Sequence, residues 1–297
     1  MQSSKARFRA AAQRGPRGPD FIGIGAQRTG TSWIYACLYE HPRLCLPRKE
    51  INFFSRERNW SRGFEWYEEI FAECPPNAVT GEFCTSYLID TDAPARIRHR
   101  YPEVRLIVSL RHPVDRAYSS YLNDIVAGEL PPTTGFREAL QSHPEYVEAG
   151  KYARYLHNYL ELFPREQILV SIFDDARLDP LAAIQETYRF LGVDPTFRPA
   201  MLDRRVGIGR IPRFQWIERC LIDTSAAFRS RRALRPLWWR AKTLGLGDRL
   251  RALNTAQATE RAKVLGPEER RFLIREFEPD ITALERLLEI ELPGWRR

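Results

Sequence analysis

A short apolar run, Asp20–Gln27 (DFIGIGAQ), ends at glycine and leads directly into Arg28-Thr29-Gly30-Thr31-Ser32, after which helical spacing begins with Trp33, Ile34, Cys37 and Leu38 and closes before Pro42. An apolar run bounded by glycine reads as a strand buried on both faces, as in a parallel sheet. Gly25 and Gly30 allow positive φ and close backbone approach, so the chain is committed to a strand–loop–helix unit. The spacing Gly-x4-Gly followed by Thr-Ser points backbone N–H groups at an anion on a helix N-terminus. Thr29, Thr31 and Ser32 add hydroxyl groups, and Arg28 adds charge and a planar donor fork. A bare packing turn without a ligand is the bland alternative, and the coincidence of one arginine with three hydroxyls weighs against it.

The spacing is that of the nucleotide-binding loop G-x-x-x-x-G-K-[ST], with Thr31 in place of the lysine. That lysine serves the β- and γ-phosphates of a nucleoside triphosphate, and a magnesium-binding Asp is expected at the end of a neighbouring strand. The strongest other strand, Val104–Leu110 (VRLIVSL), ends in Arg111 instead. The pattern keeps an anion cradle and drops two parts of the metal–triphosphate machinery. A kinase or other P-loop nucleotide-binding protein therefore stays a second reading. A non-catalytic module that uses the positive surface to bind anionic glycan or nucleic acid is a third.

Further strands are expected at 78–82 (AVTGE) and Gln167–Phe173 (QILVSIF). Helices are expected from Pro113 through Ile125 to Gly128, over Lys151–Phe163, and over Leu181–Leu191 with Gly192 as terminator. Strands that alternate with helices predict an α/β fold: a P-loop-like, mostly parallel central sheet flanked by helices. A long amphipathic helix over Glu268–Glu291 adds a helical C-terminal extension. Residues 129–147, with Pro131-Pro132, read as a surface loop or lid. Residues 1–19 read as a disordered basic leader, and 20–297 as a single domain with a helical basic insertion at 205–262.

The 297 residues carry a formal net charge of +8, which favours anionic partners without choosing among them. Five cysteines, Cys37, Cys45, Cys74, Cys84 and Cys220, form no CxxC pair, so a zinc site is not expected. Their odd, scattered set argues against a disulfide framework and fits a reducing compartment. With no long apolar run and no apolar region after the basic N-terminus, a cytoplasmic location is expected.

The chain after the strongest strand reads Arg111-His112-Pro113-Val114-Asp115-Arg116-Ala117-Tyr118-Ser119-Ser120-Tyr121. Arg111 stands at a strand's carboxyl end, where open α/β sheets bind ligands. This R-x-P-x-x-R-x-x-S-x-Y run resembles the 3′-phosphate motif of sulfotransferases that use 3′-phosphoadenosine-5′-phosphosulfate (PAPS). The Arg28–Ser32 loop resembles their 5′-phosphosulfate loop. Lys49-Glu50-Ile51-Asn52-Phe53-Phe54 resembles the K-E-x-x-F-F segment of the heparan sulfate N- and 3-O-sulfotransferase branch. Gly63–Tyr67 (GFEWY), Gly81–Leu88 (GEFCTSYL), Gly150-Lys151-Tyr152 and Phe190-Leu191-Gly192 extend the likeness over about residues 20–195 and again 264–295.

The resemblance implies sulfuryl transfer from PAPS to a hydroxyl or amine of a carbohydrate, glycolipid or other polyhydroxylated small molecule, in line and without a metal. It implies donor contacts at Arg28, Thr29, Gly30, Thr31, Ser32, Trp33, Arg111 and Ser119. It makes Glu50 the general base and Arg28 the stabiliser of charge on the leaving phosphate. Lys49, Phe53 and Tyr87 are expected on the acceptor side. His112 is read as structural. Where heparan-type enzymes often carry a lysine, this chain has Phe83, so their exact acceptor does not transfer. Arg205–Arg213 (RVGIGRIPR) is the candidate for a third donor-binding loop. Residues 229–251, with arginines around Trp238-Trp239, fit either an ordinary helical subdomain or peripheral contact with an anionic membrane or glycan. Small-molecule or glycan partners are expected, and nucleic acid is not.

Overall fold

A computed structural model of the chain describes residues 17–131, 133–203 and 265–297. The candidate loop at Arg205–Arg213, the 205–262 insertion and the basic 229–251 stretch lie outside the described residues.

Five strands form one sheet in the order β2-β3-β1-β4-β5. They are β1 (Phe21–Gly25), β2 (Leu44–Cys45), β3 (Val79–Phe83), β4 (Arg105–Leu110) and β5 (Ile168–Ile172). Every pairing is parallel. The expected strands are all present, shifted by a residue or two, and the parallel α/β architecture with a helical C-terminal segment is as the alternation predicted. β1 is buried along its whole length, as its unbroken apolar run requires. From β1 the chain moves out to β2 and β3 on one side, then crosses to β4 and β5 on the other. The carboxyl ends of β1 and β4 therefore flank the point where the strand order reverses, the place where such sheets open a crevice for ligands.

Between the strands lie α1 (Thr31–Glu40), α2 (Glu57–Trp60), α3 (Gly63–Glu69), α4 (Ala93–Arg100), α5 (Pro113–Ala127), α6 (Phe136–Ser142), α7 (Glu145–Glu148) and α8 (Tyr152–Leu160), and after β5 come α9 (Phe173–Leu178) and α10 (Pro180–Leu191). After the undescribed stretch comes α11 (Pro267–Leu288). Gly192 ends α10 in the left-handed conformation, φ 72°, and Asp179 caps its start by accepting from Ala182 N–H. None of the described helices is long and apolar enough to cross a membrane.

Within the span expected as one domain, the chain forms two compact units. One takes Met1–Arg116, Ala149–Gly207 and Glu276–Arg297; the other takes Ala117–Glu148 and Ile208–Arg275. In the first, Phe21, Ile34, Leu38, Phe83, Ile107 and Tyr188 are among the buried residues of a core between sheet and helices. In the second, Ala117, Tyr121, Ile125, Leu130, Ala139 and Tyr146 form a smaller core.

Two expectations are corrected. Residues 129–147 are not a plain loop, because α6 and most of α7 lie within them and Ala139 and Tyr146 are core residues. Pro131-Pro132 marked a break, and the periodicity after it was too short to read. At the start of the described residues, Arg17 pairs with Asp20 at 2.8 Å, and Gly18 C=O accepts from Thr80 Oγ1 at 3.0 Å. Finally, Cys45 and Cys74 form a disulfide, their Cα atoms 5.9 Å apart. They stand 29 residues apart in sequence, and only the return of the chain from β2 through α2 and α3 brings them together.

Candidate active site

The loop after β1 is locked to β4 by short bonds. Ala26 N–H donates to Ser109 C=O at 2.9 Å, Ser109 Oγ donates to Thr29 C=O at 2.6 Å, and Thr29 Oγ1 donates to Ala26 C=O at 2.7 Å. Thr29 and Thr31 are buried, with the Thr29 hydroxyl used inside the loop, whereas Ser32 is exposed. Arg28 sits at φ 70° and Gly30 at φ 85°. A Cβ at Gly30 would come within 2.6 Å of the Phe173 ring, so glycine is required there for space as well as for φ. Gly30 precedes α1 with no side-chain cap, and Trp33 and Ile34 N–H return to its carbonyl. Only the amides of Thr31 and Ser32 stand ahead of that backbone ladder, at the start of the helix. Trp33 donates its indole N–H to Leu202 C=O at 3.2 Å and packs on the core.

Arg111, at the end of β4, lies beside this loop: its Nη1 is 3.4 Å from Arg28 C=O, a long contact. Its guanidinium stacks over Phe173 at 5.0 Å, the same ring that fills the space at Gly30. Tyr152 holds the Arg111 carbonyl at 3.0 Å. The Arg111 Nε is buried and has no hydrogen-bond partner among the described residues. A buried guanidinium N–H left without an acceptor fits an anionic group at this position. His112 is buried; its Nδ1 accepts from Val114 N–H at 3.2 Å in the first turn of α5, a structural task. Ser119 lies half-buried on α5 and belongs to the second compact unit.

The Lys49–Glu50 segment approaches the same sheet edge from β3. Lys49 pairs with Phe83, and Glu50 N–H donates to Phe83 C=O at 2.7 Å. Glu50 and Asn52 both adopt positive φ, 54° and 55°, an uncommon state for non-glycine residues. Asn52 Nδ2 donates to Glu50 C=O at 2.8 Å, and Asn59 Nδ2 donates to Ile51 C=O at 2.8 Å. The Glu50 carboxylate accepts from Thr85 N–H at 3.1 Å and lies within reach of Thr85 Oγ1 at 3.2 Å. Side chains that hold strained backbone this firmly are typical of functional sites. The cradle, Arg111 and Glu50 thus gather at the carboxyl ends of β1, β4 and β3.

Phe53 and Tyr87, expected on the acceptor side, are in the interior and fully buried. Phe53 stacks on Tyr67 at 4.5 Å within an aromatic nest that includes Phe54 and Trp60. Tyr87 oxygen accepts from Phe53 N–H at 2.9 Å and its hydroxyl donates to Glu82 Oε1 at 3.0 Å. Tyr67 donates to the same oxygen at 2.5 Å. Burial pushes the Glu82 carboxyl up to about 7, against the lowering effect of the two tyrosine bonds, with Glu50 adding a smaller upward push. The side chains of Phe53 and Tyr87 brace the Glu50 turn from behind and are not open to an acceptor. Thr85, Asn52, Phe173 and Glu82 are the site's unforeseen supports. Thr85 and Glu82 stood inside the GEFCTSYL segment, but only the pairing of β3 with residues 49–50 reveals what they hold.

A parallel sheet with an anion cradle and a basic residue at its switch point defines a nucleotide-binding α/β protein. Residues 18–206 match the sulfotransferase domain family model, and the chain belongs to that family. It is 28% identical over 187 residues to heparan sulfate glucosamine 3-O-sulfotransferase 5 of Mus musculus, covering 60% of this chain and 54% of that protein. It is 32% identical over 205 residues to the bifunctional heparan sulfate N-deacetylase/N-sulfotransferase 3 of Homo sapiens, covering 60% of this chain and 23% of that protein. The match thus spans about half, or less, of these curated relatives. The structure is similar to a sulfotransferase from Alicyclobacillus acidocaldarius, with a TM-score of 0.69 and 25% identity over 95% of this chain and 100% of that one. It shares its fold with a mouse sulfotransferase, SULT7A1, solved in complex with PAP, at a TM-score of 0.52 and 14% identity over 92% of this chain and 88% of that one.

Proposed function

We propose that this chain transfers a sulfuryl group from PAPS to a hydroxyl or amine of a carbohydrate, glycolipid or other polyhydroxylated small molecule. The observation that carries the reading is the placement of Arg111, with a buried Nε awaiting an acceptor, beside the Arg28 loop. Two adjacent basic anion sites suit a nucleotide with phosphate at both ends of its ribose. The amides of Gly30–Ser32 bind the 5′ side, and Arg111 binds the 3′-phosphate and separates PAPS from ordinary adenine nucleotides. Thr29 and Thr31 shape the cradle from within, and Trp33 fixes the start of α1.

Glu50, steadied by Thr85, accepts the acceptor's proton as its oxygen or nitrogen bonds to sulfur. The bond from sulfur to the phosphate oxygen breaks, that oxygen keeps the electron pair, and Arg28 offsets its growing charge. The heparan sulfate enzymes named above act on a glycan, which together with the net charge of +8 supports a polyhydroxylated, anion-tolerant acceptor.

The test is transfer of labelled sulfate from PAPS to a panel of glycans, glycolipids, phenols and amines. Label is expected in at least one polyhydroxylated class and is lost in Glu50→Gln. Label in phenols alone would overturn the acceptor class. A protein that does not bind PAP would overturn the donor.

A further inference from the structure

The loop's spacing leaves one position unfilled by the local sequence. Gly30-Thr31-Ser32 carries threonine where a nucleotide loop carries its lysine. The structure brings a lysine to the neighbouring Ser32 from another segment. Lys49 Nζ donates to Ser32 Oγ at 2.8 Å, in the first turn of α1. In P-loop enzymes the hydroxyl at this position meets a magnesium ion; here it meets an ammonium group.

The Lys49 side chain is only 22% exposed. Its nearest anion, Glu50 Oε1, is 4.0 Å away, and the Tyr35 ring centroid is 5.9 Å away. A hydroxyl oxygen, a distant carboxylate and a ring face at 5.9 Å are weak compensation for removing an ammonium from water. Burial accordingly pulls the Lys49 pKa down, against an upward push from Glu50. An anion at the mouth of the cradle would complete the ammonium's coordination. Backbone pairing of Lys49 with Phe83 fixes where the side chain starts, so the contact does not rest on a freely swinging lysine.

We infer that Lys49 is a donor-side cation: its ammonium, held on Ser32, contacts the phosphosulfate group at the cradle, across from Arg28. This places it on the donor and not among the acceptor contacts expected from the sequence. It rests on the PAPS reading above and adds to it a residue that stabilises charge on the transferring group and its leaving oxygen. The two neighbours in sequence then divide the work, Lys49 facing the donor and Glu50 the acceptor.

Calorimetric titration of the full chain with PAPS and with PAP tests this without knowledge of the acceptor. Lys49→Met is expected to weaken PAPS by about tenfold or more, the loss of a charge-assisted bond, and to weaken PAP by less, because PAP lacks the sulfuryl group. Lys49→Arg should restore most of the PAPS affinity, which a merely structural role would not require. Equal PAPS affinity in wild type and Lys49→Met overturns this inference and leaves the donor reading standing. Failure of the wild-type chain to bind either nucleotide overturns both. If Lys49→Met does not fold, Lys49→Gln in the same titration decides, with the same two outcomes.

Discussion

Arg28 and Glu50 both sit at positive φ, 70° and 54°, yet the two regions around them are held in place by different means. The Arg28 loop is held mainly by backbone and by partners set by strand register: Ala26 to Ser109, Ser109 to Thr29, and Gly30 against Phe173. The Glu50 turn is held by side chains from elsewhere in the chain: Asn59 on Ile51, Thr85 on the carboxylate, Tyr87 on Phe53. A loop built from backbone and glycine has few side-chain alternatives and changes little when its neighbours change. A turn built from distant side chains can be adjusted one contact at a time. The first suits a donor that does not vary, the second an acceptor that does.

The largest expected effect lies at the turn. Glu50→Gln should lower turnover by about 10²- to 10⁴-fold, the usual share of general-base catalysis, while PAP binding stays near wild type. Single-turnover rates and a PAP titration on the same preparation check both halves; a fall in PAP affinity that matched the fall in rate would move Glu50 to the donor side. Next comes the loop's partner. Arg111→Ala should weaken PAP by about tenfold or more, and 5′-AMP by far less. Equal losses for the two nucleotides would remove the 3′-phosphate from Arg111.

A smaller effect is expected from backbone alone. Gly30→Ala places a Cβ within 2.6 Å of the Phe173 ring at φ 85° and should cost about 1–3 kcal/mol of stability, read as a lowered Tm with PAP binding lost in parallel. A pH effect is expected behind the turn. Glu82 is buried with its carboxyl raised to about 7 from an ordinary 4.5. Between these values the unfolded chain loses this proton and the folded chain keeps it, so stability falls as pH rises through that window. Glu82→Gln keeps an oxygen for Tyr67 and Tyr87 and should flatten that fall; an unchanged slope in denaturant melts from pH 4.5 to 7 would locate the titration elsewhere.

The same contrast explains what was legible in the sequence. The loop, its helix and Arg111 could be read because glycine spacing, an apolar run and a strand-end arginine are local signals. The Lys49–Phe54 segment was legible only as a resemblance, since nothing in its composition announces a left-handed turn at Glu50. Its supports, Thr85 and Asn52, became visible only through the pairing of residue 49 with residue 83. Phe53 and Tyr87 show the limit of such reading: an aromatic near a presumed active site reads equally as wall or as brace, and their full burial is visible only in the fold. β2 has only two residues, too few for periodicity, and no local spacing announces the Cys45–Cys74 bond between residues 29 apart.

Two anion sites that share one ligand should show it in a single titration. Isothermal calorimetry of the wild-type chain with PAP and with 5′-AMP, at matched salt, compares a ligand that fills both sites with one that fills the cradle alone. PAP binding at least about tenfold tighter than 5′-AMP is the predicted result, the contribution of a charge-assisted contact at Arg111. Indistinguishable affinities would mean that Arg111, though set beside Arg28, does not grip the same molecule, and would contradict the central claim.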